Sequence, residues 1–261
     1  MHPKAIQLNG KPIGTGRFPA ICAPLVGRTR ERLLFEVAAV VGKRPDILEW
    51  RVDFFEGIAD TAQVLQLGAR LKQAAGGIPI LFTCRSIREG GETIPLSEDE
   101  VVALYRAVCE SGAVDMVDFE MGNDLAHVRA VREMVKANGM QLILSFHDFQ
   151  GTPDAQVLVQ RLMQARELGA DVAKVAVMPR SMDDVLTLLE ATLQASRSLD
   201  IPVVSMSMAG FGSVTRLCGW AFGSAMTFAV GESSSAPGQM PIEDMDAGLA
   251  LLQRAFGRTP G

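Results

Sequence analysis

Short apolar segments alternate with longer amphipathic ones along almost the whole chain. Eight segments of strand length are rich in Val, Ile, Leu and Phe and are closed by Gly, Pro or charged residues. They are AICAPLV (20–26), DILEWRV (46–52), IPILFTCR (78–85), AVDMVDFE (113–120), QLILSFHDF (141–149), DVAKVAVM (171–178), IPVVSMSM (201–208) and SAMTFAV (224–230). This pattern predicts eight β-strands.

The segments between these strand candidates have apolar residues at helical spacing. Some also carry helix-start signals, such as Ser97 with Glu100 as a capping box and Thr152-Pro153 with proline at the first helical position. The predicted helices are Glu31–Val41, Ala62–Ala75, Glu98–Glu110, Leu125–Ala137, Asp154–Leu168, Met182–Ser196 and Asp244–Ala255.

Eight β-then-α units predict an α/β fold, a closed (β/α)8 TIM barrel, because right-handed crossovers place the helices outside a parallel sheet. An open doubly wound sheet is the competing layout. It needs a glycine-rich first turn for a nucleotide, whereas residues 27–31 read GRTRE. Residues 4–14 alternate around Asn9-Gly10, which predicts a short N-terminal β-hairpin closing the bottom of the barrel. Since no composition break divides the chain, we expect residues 1–261 to form one domain.

Composition narrows the classes of protein and of partner. Apolar residues make up 48% and charged residues 21%, which is typical of a globular protein with a large core. The net charge of −5 is spread along the chain without a basic stripe, so we expect no nucleic-acid partner. The apolar runs are too short for a membrane span. Four separated cysteines without C-x-x-C spacing favour a reducing cytoplasm.

Charged residues lie at the carboxyl ends of several strand candidates, where barrel enzymes build their active sites. The second candidate ends with Glu49, Arg51 and Asp53, which share one face at period two, and the third ends with Arg85. The fourth, fifth and sixth contribute Asp118, Glu120, His147 and Lys174. We therefore expect these side chains to converge on one rim.

Lys174 lies inside the apolar sequence AKVAV, so on a strand it must point into the interior. Burial and nearby arginines disfavour the ammonium form and leave a free amine that can attack a carbonyl carbon. This predicts Schiff-base chemistry. The alternative is a lysine that snorkels from an edge strand or forms an ion pair with Glu120.

His147 is the one histidine at the end of a strand candidate, because His2 is terminal and His127 lies in a helical segment. An imidazole suits proton transfer near neutral pH, although a hydrogen-bonded core histidine is the plainer interpretation. No metal site is predicted, since the sequence lacks H-x-H and H-E-x-x-H spacing.

Three arginines suggest an anionic or polyhydroxylated substrate. Arg51, Arg85 and Arg216 fall at predicted strand or loop ends, and each can hold a carboxylate with two hydrogen bonds. Taken singly, each could instead pair with a neighbouring carboxylate. After the last strand, residues 231–241 read GESSSAPGQMP, which is typical of a polar lid or of an ordinary surface loop.

Six motifs of the chain resemble those of the type I 3-dehydroquinate dehydratases. They are DILEWRVDFF, FTCRSIREGGE, LSFHDFQGTP, AKVAVMPRSMDDV, MSMAGFGSVTRLCGWAFGSAMTFA and SAPGQM, in the order of the family. Two departures affect only fine substrate contacts, namely Pro24 and the turn Ala209–Gly212.

The resemblance implies an enzyme that dehydrates 3-dehydroquinate in the shikimate pathway without a cofactor. Catalytic roles are implied for Lys174 (imine formation), His147 (general acid/base) and Glu89 (orientation of the histidine). Substrate contacts are implied for Glu49, Arg51, Arg85, Arg216, Ser235 and Gln239, and apolar wall positions for Met206 and Phe228. A homodimer is also implied.

Two other functions remain as alternatives. A class I aldolase on the same fold would also use a lysine imine, but it would need a glycine-rich phosphate site near the last strands. The second alternative is a barrel that binds the same hydroxyacid, 3-dehydroquinate, without converting it.

Overall fold

The computed structural model describes residues 4–8, 11–13 and 19–257. A small antiparallel sheet of β1 (Gln7–Leu8) and β2 (Lys11–Pro12) opens the chain. The two strands confirm the hairpin, and its predicted turn, Asn9-Gly10, lies outside the described residues. Ile6 and Leu8 are buried against the amino-terminal ends of the barrel strands. The hairpin thus covers the bottom, as expected.

Eight parallel strands follow, one in each predicted segment. They are β3 (Ala20–Leu25), β4 (Ile47–Arg51), β5 (Ile80–Thr83), β6 (Met116–Glu120), β7 (Gln141–Asp148), β8 (Val172–Val177), β9 (Val203–Ser207) and β10 (Met226–Val230). Each pairs in parallel with its neighbours, and β10 pairs with β3. Between β9 and β10, a parallel bridge from Val203 to Ser224 closes the barrel. At the end of residues 231–241, a two-residue strand, β11 (Met240–Pro241), pairs in parallel with the end of β10.

The described residues contain eight α-helices, of which seven connect consecutive barrel strands and the eighth follows β11. They are α1 (Arg30–Val41), α2 (Thr61–Ala74), α3 (Glu98–Ser111), α4 (Leu125–Ala137), α5 (Ala155–Glu167), α6 (Met182–Ser198), α7 (Ser213–Cys218) and α8 (Ile242–Phe256). Seven occupy the predicted segments, and the capping box of Ser97 and Glu100 is present. One helix-start signal was wrong: Asp154 precedes α5, so Pro153 lies outside the first helical position.

The main core lies between the barrel and the helices. Outward-facing strand residues pack against the apolar faces of the helices, and a chain of edge-to-face aromatic contacts runs from Trp50 through Phe82 and Tyr105 to Phe119. In the part of the chain that the structure describes, no helix has the length and apolarity to cross a lipid bilayer.

Candidate active site

The barrel interior changes from apolar to polar along the strand direction. Because strand side chains alternate, every second residue points inward. The lower inward layer is apolar and consists of Cys22, Ile47, Leu81, Met116, Ile143, Val172, Val204 and Met226. Two residues further along, the strands carry Pro24, Glu49, Thr83, Asp118, Ser145, Lys174, Met206 and Phe228. The polar layer therefore opens at the carboxyl ends of the strands, where a cavity of about 460 Å³ lies.

Lys174 projects from β8 into this cavity and is 3% exposed. Its Nζ atom donates a hydrogen bond to Oδ2 of Asp118 at 2.7 Å. The same nitrogen lies 4.8 Å from the centre of the Phe228 ring. The sequence had offered Glu120 as the ion-pair partner, and this was wrong, because the neighbouring inward residue Asp118 takes that place.

Asp118 is held by three donors. Besides Lys174, Arg85 donates from Nη2 to Oδ1 at 2.8 Å, and the Ser145 hydroxyl donates to the same oxygen at 2.6 Å. Burial alone would raise the pKa of this carboxyl. The Arg85 and Lys174 cations outweigh burial and hold the pKa of Asp118 well below its usual range. Asp118 is therefore a fixed carboxylate.

His147, near the end of β7, is hydrogen-bonded to Glu89. The His147 Nδ1 atom lies 2.7 Å from Oε2 of Glu89, and the backbone N–H of His147 donates to the same oxygen at 3.1 Å. Burial and, after it, the Arg85 and Lys174 cations lower the pKa of His147 well below its ordinary value. Burial and then the Glu120 carboxylate raise the pKa of Glu89 to about 8. Both shifts favour uncharged forms, so the imidazole is available as a base.

A tight turn after β5 positions Glu89. Glu120 accepts hydrogen bonds from the backbone N–H and hydroxyl of Ser86 at 2.7 and 2.6 Å. Gly90 has φ +83°, and a Cβ there would lie 2.3 Å from the Phe149 ring. A Cβ on Gly91 would lie 2.0 Å from the Arg85 carbonyl oxygen. The turn therefore requires both glycines of the sequence REGGE.

Two of the three arginines have carboxylate partners within the site. Arg51 binds both oxygens of Asp53, at 2.8 and 2.7 Å. Arg85 binds Asp118 and also Oε1 of Glu120, the latter at 3.2 Å. Glu49 accepts a hydrogen bond from the Thr83 hydroxyl at 2.9 Å. These groups form a rigid polar floor under the cavity.

Arg216 differs because no carboxylate among the described residues binds it. It is 1% exposed, its Nη2 donates to the Pro237 carbonyl at 3.2 Å, and its Nη1 lies 3.7 Å from the Met206 sulfur. Its Nε has no hydrogen-bond partner. Burial lowers the pKa of Arg216 to about 10, so the guanidinium remains charged at neutral pH. Contrary to the sequence interpretation, Arg216 lies in the last turn of a helix, α7.

Residues 231–241, which follow β10 and are called the lid segment, cover the cavity from above. Ser235 and Gln239 bind each other, with the Gln239 amide donating to the Ser235 hydroxyl at 3.1 Å. The Ser235 carbonyl accepts a weak hydrogen bond from Arg51 at 3.4 Å. Gly238 lies so close to the Ala209 carbonyl oxygen that a Cβ would approach it to 2.2 Å. The lid thus rests on the turn before α7.

All nine residues predicted for the site line this one cavity, and Met206 and Phe228 form part of its wall. Sequence reasoning noted Asp118 but gave it no role, and it missed Ser145, Phe149 and Met208. Ser145 could have been found, since it precedes His147 by two residues on the same strand face.

A larger cavity of about 760 Å³ lies next to the site, between the turn after β5 and helices α3 and α4. It shares Arg85 with the site cavity, but its wall includes neither Lys174 nor His147. Size would favour this cavity over the smaller one. The buried lysine and the imidazole–carboxyl pair favour the smaller one as the candidate active site.

The fold and the cavity define an α/β barrel with a buried lysine and an imidazole–carboxyl pair at the carboxyl ends of its strands. The profile of the type I 3-dehydroquinase family matches residues 21–255. The chain belongs to this family and is a hydro-lyase.

Relatives in this family match almost the whole chain. The 3-dehydroquinate dehydratase of Albidiferax ferrireducens is 56% identical over 254 residues, covering 97% of this chain and 96% of the relative. The crystal structure of the enzyme from Geobacillus kaustophilus superposes with a TM-score of 0.93 at 50% identity, covering 97% and 98%. A type I enzyme from Clostridium difficile, crystallised with covalently modified comenic acid, gives 0.91 at 38% identity, covering 97% and 99%.

Proposed function

We propose that this chain dehydrates 3-dehydroquinate to 3-dehydroshikimate through an imine on Lys174. The single observation that carries the proposal is the content of one cavity. It holds a buried lysine, an imidazole bonded to a carboxyl group and an arginine without a carboxylate partner. The names of the relatives support the substrate, and the covalently modified ligand of the Clostridium difficile enzyme supports covalent chemistry.

Imine formation is the first step. A free amine is expected from the sequence, whereas in this scheme Lys174 starts as the ammonium partner of Asp118. Lys174 passes one ammonium proton to His147, and the amine lone pair attacks the ketone carbon while the C=O pair moves to oxygen. That oxygen takes up protons and leaves as water, and the nitrogen lone pair completes a C=N bond. The ammonium ion and the ketone thus become an iminium ion and water.

The iminium ion then serves as the electron sink. His147 removes the proton beside the former ketone, and the C–H pair moves toward nitrogen to give a neutral enamine. The enamine pair expels the hydroxyl group β to the former ketone, which takes the proton from the imidazolium ion and leaves as water. Hydrolysis of the conjugated iminium ion releases the product and restores Lys174. Because one histidine makes both transfers, both groups leave from the same face. The sequence of steps requires no cofactor.

Substrate binding uses the remaining groups of the cavity. Arg216 takes the substrate carboxylate with two hydrogen bonds, since its guanidinium is buried and its Nε has no partner. Glu49, Arg51 and Arg85 bind substrate hydroxyls. Ser235 and Gln239 close over the substrate from the lid, and Met206 and Phe228 form apolar walls.

The test is borohydride trapping with 3-dehydroquinate, followed by peptide mass mapping. We expect the reduced adduct on Lys174 in the wild type and no adduct in Lys174→Ala. Lys136→Ala, which removes an exposed lysine on α4, is the matched control and should behave as wild type. Full-speed elimination with an unmodified Lys174 would reject the mechanism.

A second measurement separates catalysis from binding alone. The conjugated product absorbs in the ultraviolet, whereas bound substrate does not. We expect absorbance to grow on mixing with 3-dehydroquinate. A barrel that only binds would give no growth, and an aldolase would release a carbon–carbon cleavage product instead.

We propose one domain over residues 1–261, a homodimer, and a role in the shikimate pathway in the cytoplasm. The free cysteines Cys22, Cys84, Cys109 and Cys218 support a reducing compartment.

A further inference from the structure

We propose that Asp118 is a catalytic residue, the counter-ion of the Lys174 nitrogen through the whole reaction. Its Oδ2 atom lies 2.7 Å from Nζ of Lys174, the atom that forms and breaks the bond to substrate. In the proposed mechanism, other residues bind the substrate and transfer the protons. The inference rests on the proposed imine chemistry, and the experiment below separates the two.

The other contacts of Asp118 keep its carboxylate ionised when the Lys174 nitrogen changes its charge. Its other oxygen, Oδ1, is held by Arg85 at 2.8 Å and by the Ser145 hydroxyl at 2.6 Å, and these contacts do not involve Lys174. Asp118 is 1% exposed, so water does not replace them. With its pKa well below the usual range, the carboxyl is a poor proton acceptor. The low pKa and these fixed contacts favour an electrostatic role for Asp118 over a proton-transfer role.

The changes of charge on the Lys174 nitrogen during the reaction favour an electrostatic role for Asp118. The free ammonium ion and the iminium ion each carry one positive charge and at least one N–H, so a carboxylate beside the nitrogen stabilises both. The carbinolamine and the enamine are neutral at nitrogen. Elimination from the enamine restores the positive charge, so a fixed carboxylate at 2.7 Å favours the step that expels the hydroxyl group.

Other charged or titratable groups surround this ion pair from the neighbouring strands and the turn after β5. They are Cys22, Glu49, Arg85, Glu89, Glu120 and His147. Among them Arg85 already binds Asp118 and Glu120, and Glu89 binds His147. Asp118 is therefore the carboxylate that directly contacts the nucleophile.

The test compares Asp118→Asn with the wild type and with Ser145→Ala, which keeps the carboxylate and removes one neutral donor to it. Imine formation is followed by rapid mixing with 3-dehydroquinate and borohydride quench across pH. An opposite charge at hydrogen-bonding distance shifts the pKa of a titrating group by about 1–3 units. Imine formation should decline at low pH, and this decline is called the acid limb. In Asp118→Asn we expect the acid limb to move to lower pH by that amount, because the Lys174 ammonium ion has lost its counter-ion. At a pH above the acid limbs of both proteins, the trapped iminium should fall by roughly tenfold or more, because the iminium ion has lost the same counter-ion.

The Ser145→Ala variant should keep the limb at the wild-type pH. An Asp118→Asn protein with the wild-type limb and adduct yield would overturn the counter-ion role. A merely structural role would lower the amount of active enzyme without moving the limb. If the wild type itself forms no adduct on Lys174, the proposed function fails first.

A measurement on the wild type keeps the inference testable if Asp118→Asn does not fold. The C=N stretch of the imine formed with 3-dehydroshikimate should shift in heavy water at every pH from neutral to mildly alkaline, because the carboxylate holds the iminium proton. Loss of that isotope shift within the neutral range would overturn the proposal.

Discussion

Two buried cations face the same cavity with different electrostatic surroundings. Lys174 has the Asp118 carboxylate at 2.7 Å, whereas Arg216 binds only the Pro237 carbonyl and the Met206 sulfur among the described residues. A buried charge without a counter-ion lowers the free energy of unfolding. Such a residue is retained where it binds an anion, so we expect stability and function to conflict at Arg216.

Replacing Arg216 by Met should separate these two effects. Methionine fills a similar volume without charge, so the free energy of unfolding in urea should stay the same or rise. The KM for 3-dehydroquinate should rise by roughly a hundredfold, since a charged hydrogen bond to the carboxylate contributes about 3 kcal/mol. Arg166→Met is the control, because Arg166 is exposed and binds only Asp200 on the surface. A destabilised Arg216→Met with unchanged KM would make Arg216 a structural residue.

Single residues differed in how far the sequence could predict them. Lys174 and His147 were predictable because a charge within an apolar strand must face the interior. The partner of Lys174 was not, since Asp118 and Glu120 lie on the same face of β6. The register aligns Glu120 with Lys174 through Ser145, yet the hydrogen bond goes to Asp118, so side-chain packing decides between them. The lack of a carboxylate partner for Arg216 also depends on tertiary packing.

The turn after β5 is the element that places the Glu89 carboxyl against His147. It carries Glu89, and its shape depends on the left-handed conformation of Gly90 and on the contact of Gly90 with Phe149. A change in this turn should therefore alter the position of Glu89 against His147.

The substitution Gly90→Ala tests this element against Gly112→Ala. Both glycines have positive φ, +83° and +69°, so each alanine should cost about 1–2 kcal/mol of backbone strain. The added Cβ meets the Phe149 ring at position 90 but no atom within 4 Å at position 112. We expect Gly90→Ala to lower kcat by roughly a hundredfold and Gly112→Ala to leave it unchanged. Equal kcat values in steady-state assays would show that the turn does not position Glu89.

The α7 region shows where prediction of elements failed. Seven helices have long amphipathic repeats, whereas α7 has six residues and follows a turn containing Gly210 and Gly212. A Cβ on Gly212 would lie 1.9 Å from the Ser207 carbonyl oxygen, so the turn depends on close backbone packing. Helical periodicity cannot reveal so short an element. Motif resemblance identified Arg216 although its helix was missed.

At the scale of the whole molecule, the barrel separates stability from chemistry along its axis. The hairpin residues Ile6 and Leu8 seal the lower apolar layer, and Lys174 lies in the polar layer above it. The same strands form both layers with a period of two residues. Substitutions at the bottom should therefore affect folding without affecting the site.

Ile6→Ala tests this separation, with the exposed neighbour Gln7→Ala as the matched control. Ile6 is 1% exposed, so its truncation leaves a cavity and should lower the free energy of unfolding by about 2–4 kcal/mol. Gln7→Ala should change it little, because the Gln7 side chain points to solvent. Urea unfolding measures the stability, and kcat/KM at a temperature where both variants remain folded measures the site. We expect equal kcat/KM values in the two variants and the wild type. A loss of kcat/KM in folded Ile6→Ala would instead mean that packing at the bottom is transmitted along the strands to Lys174.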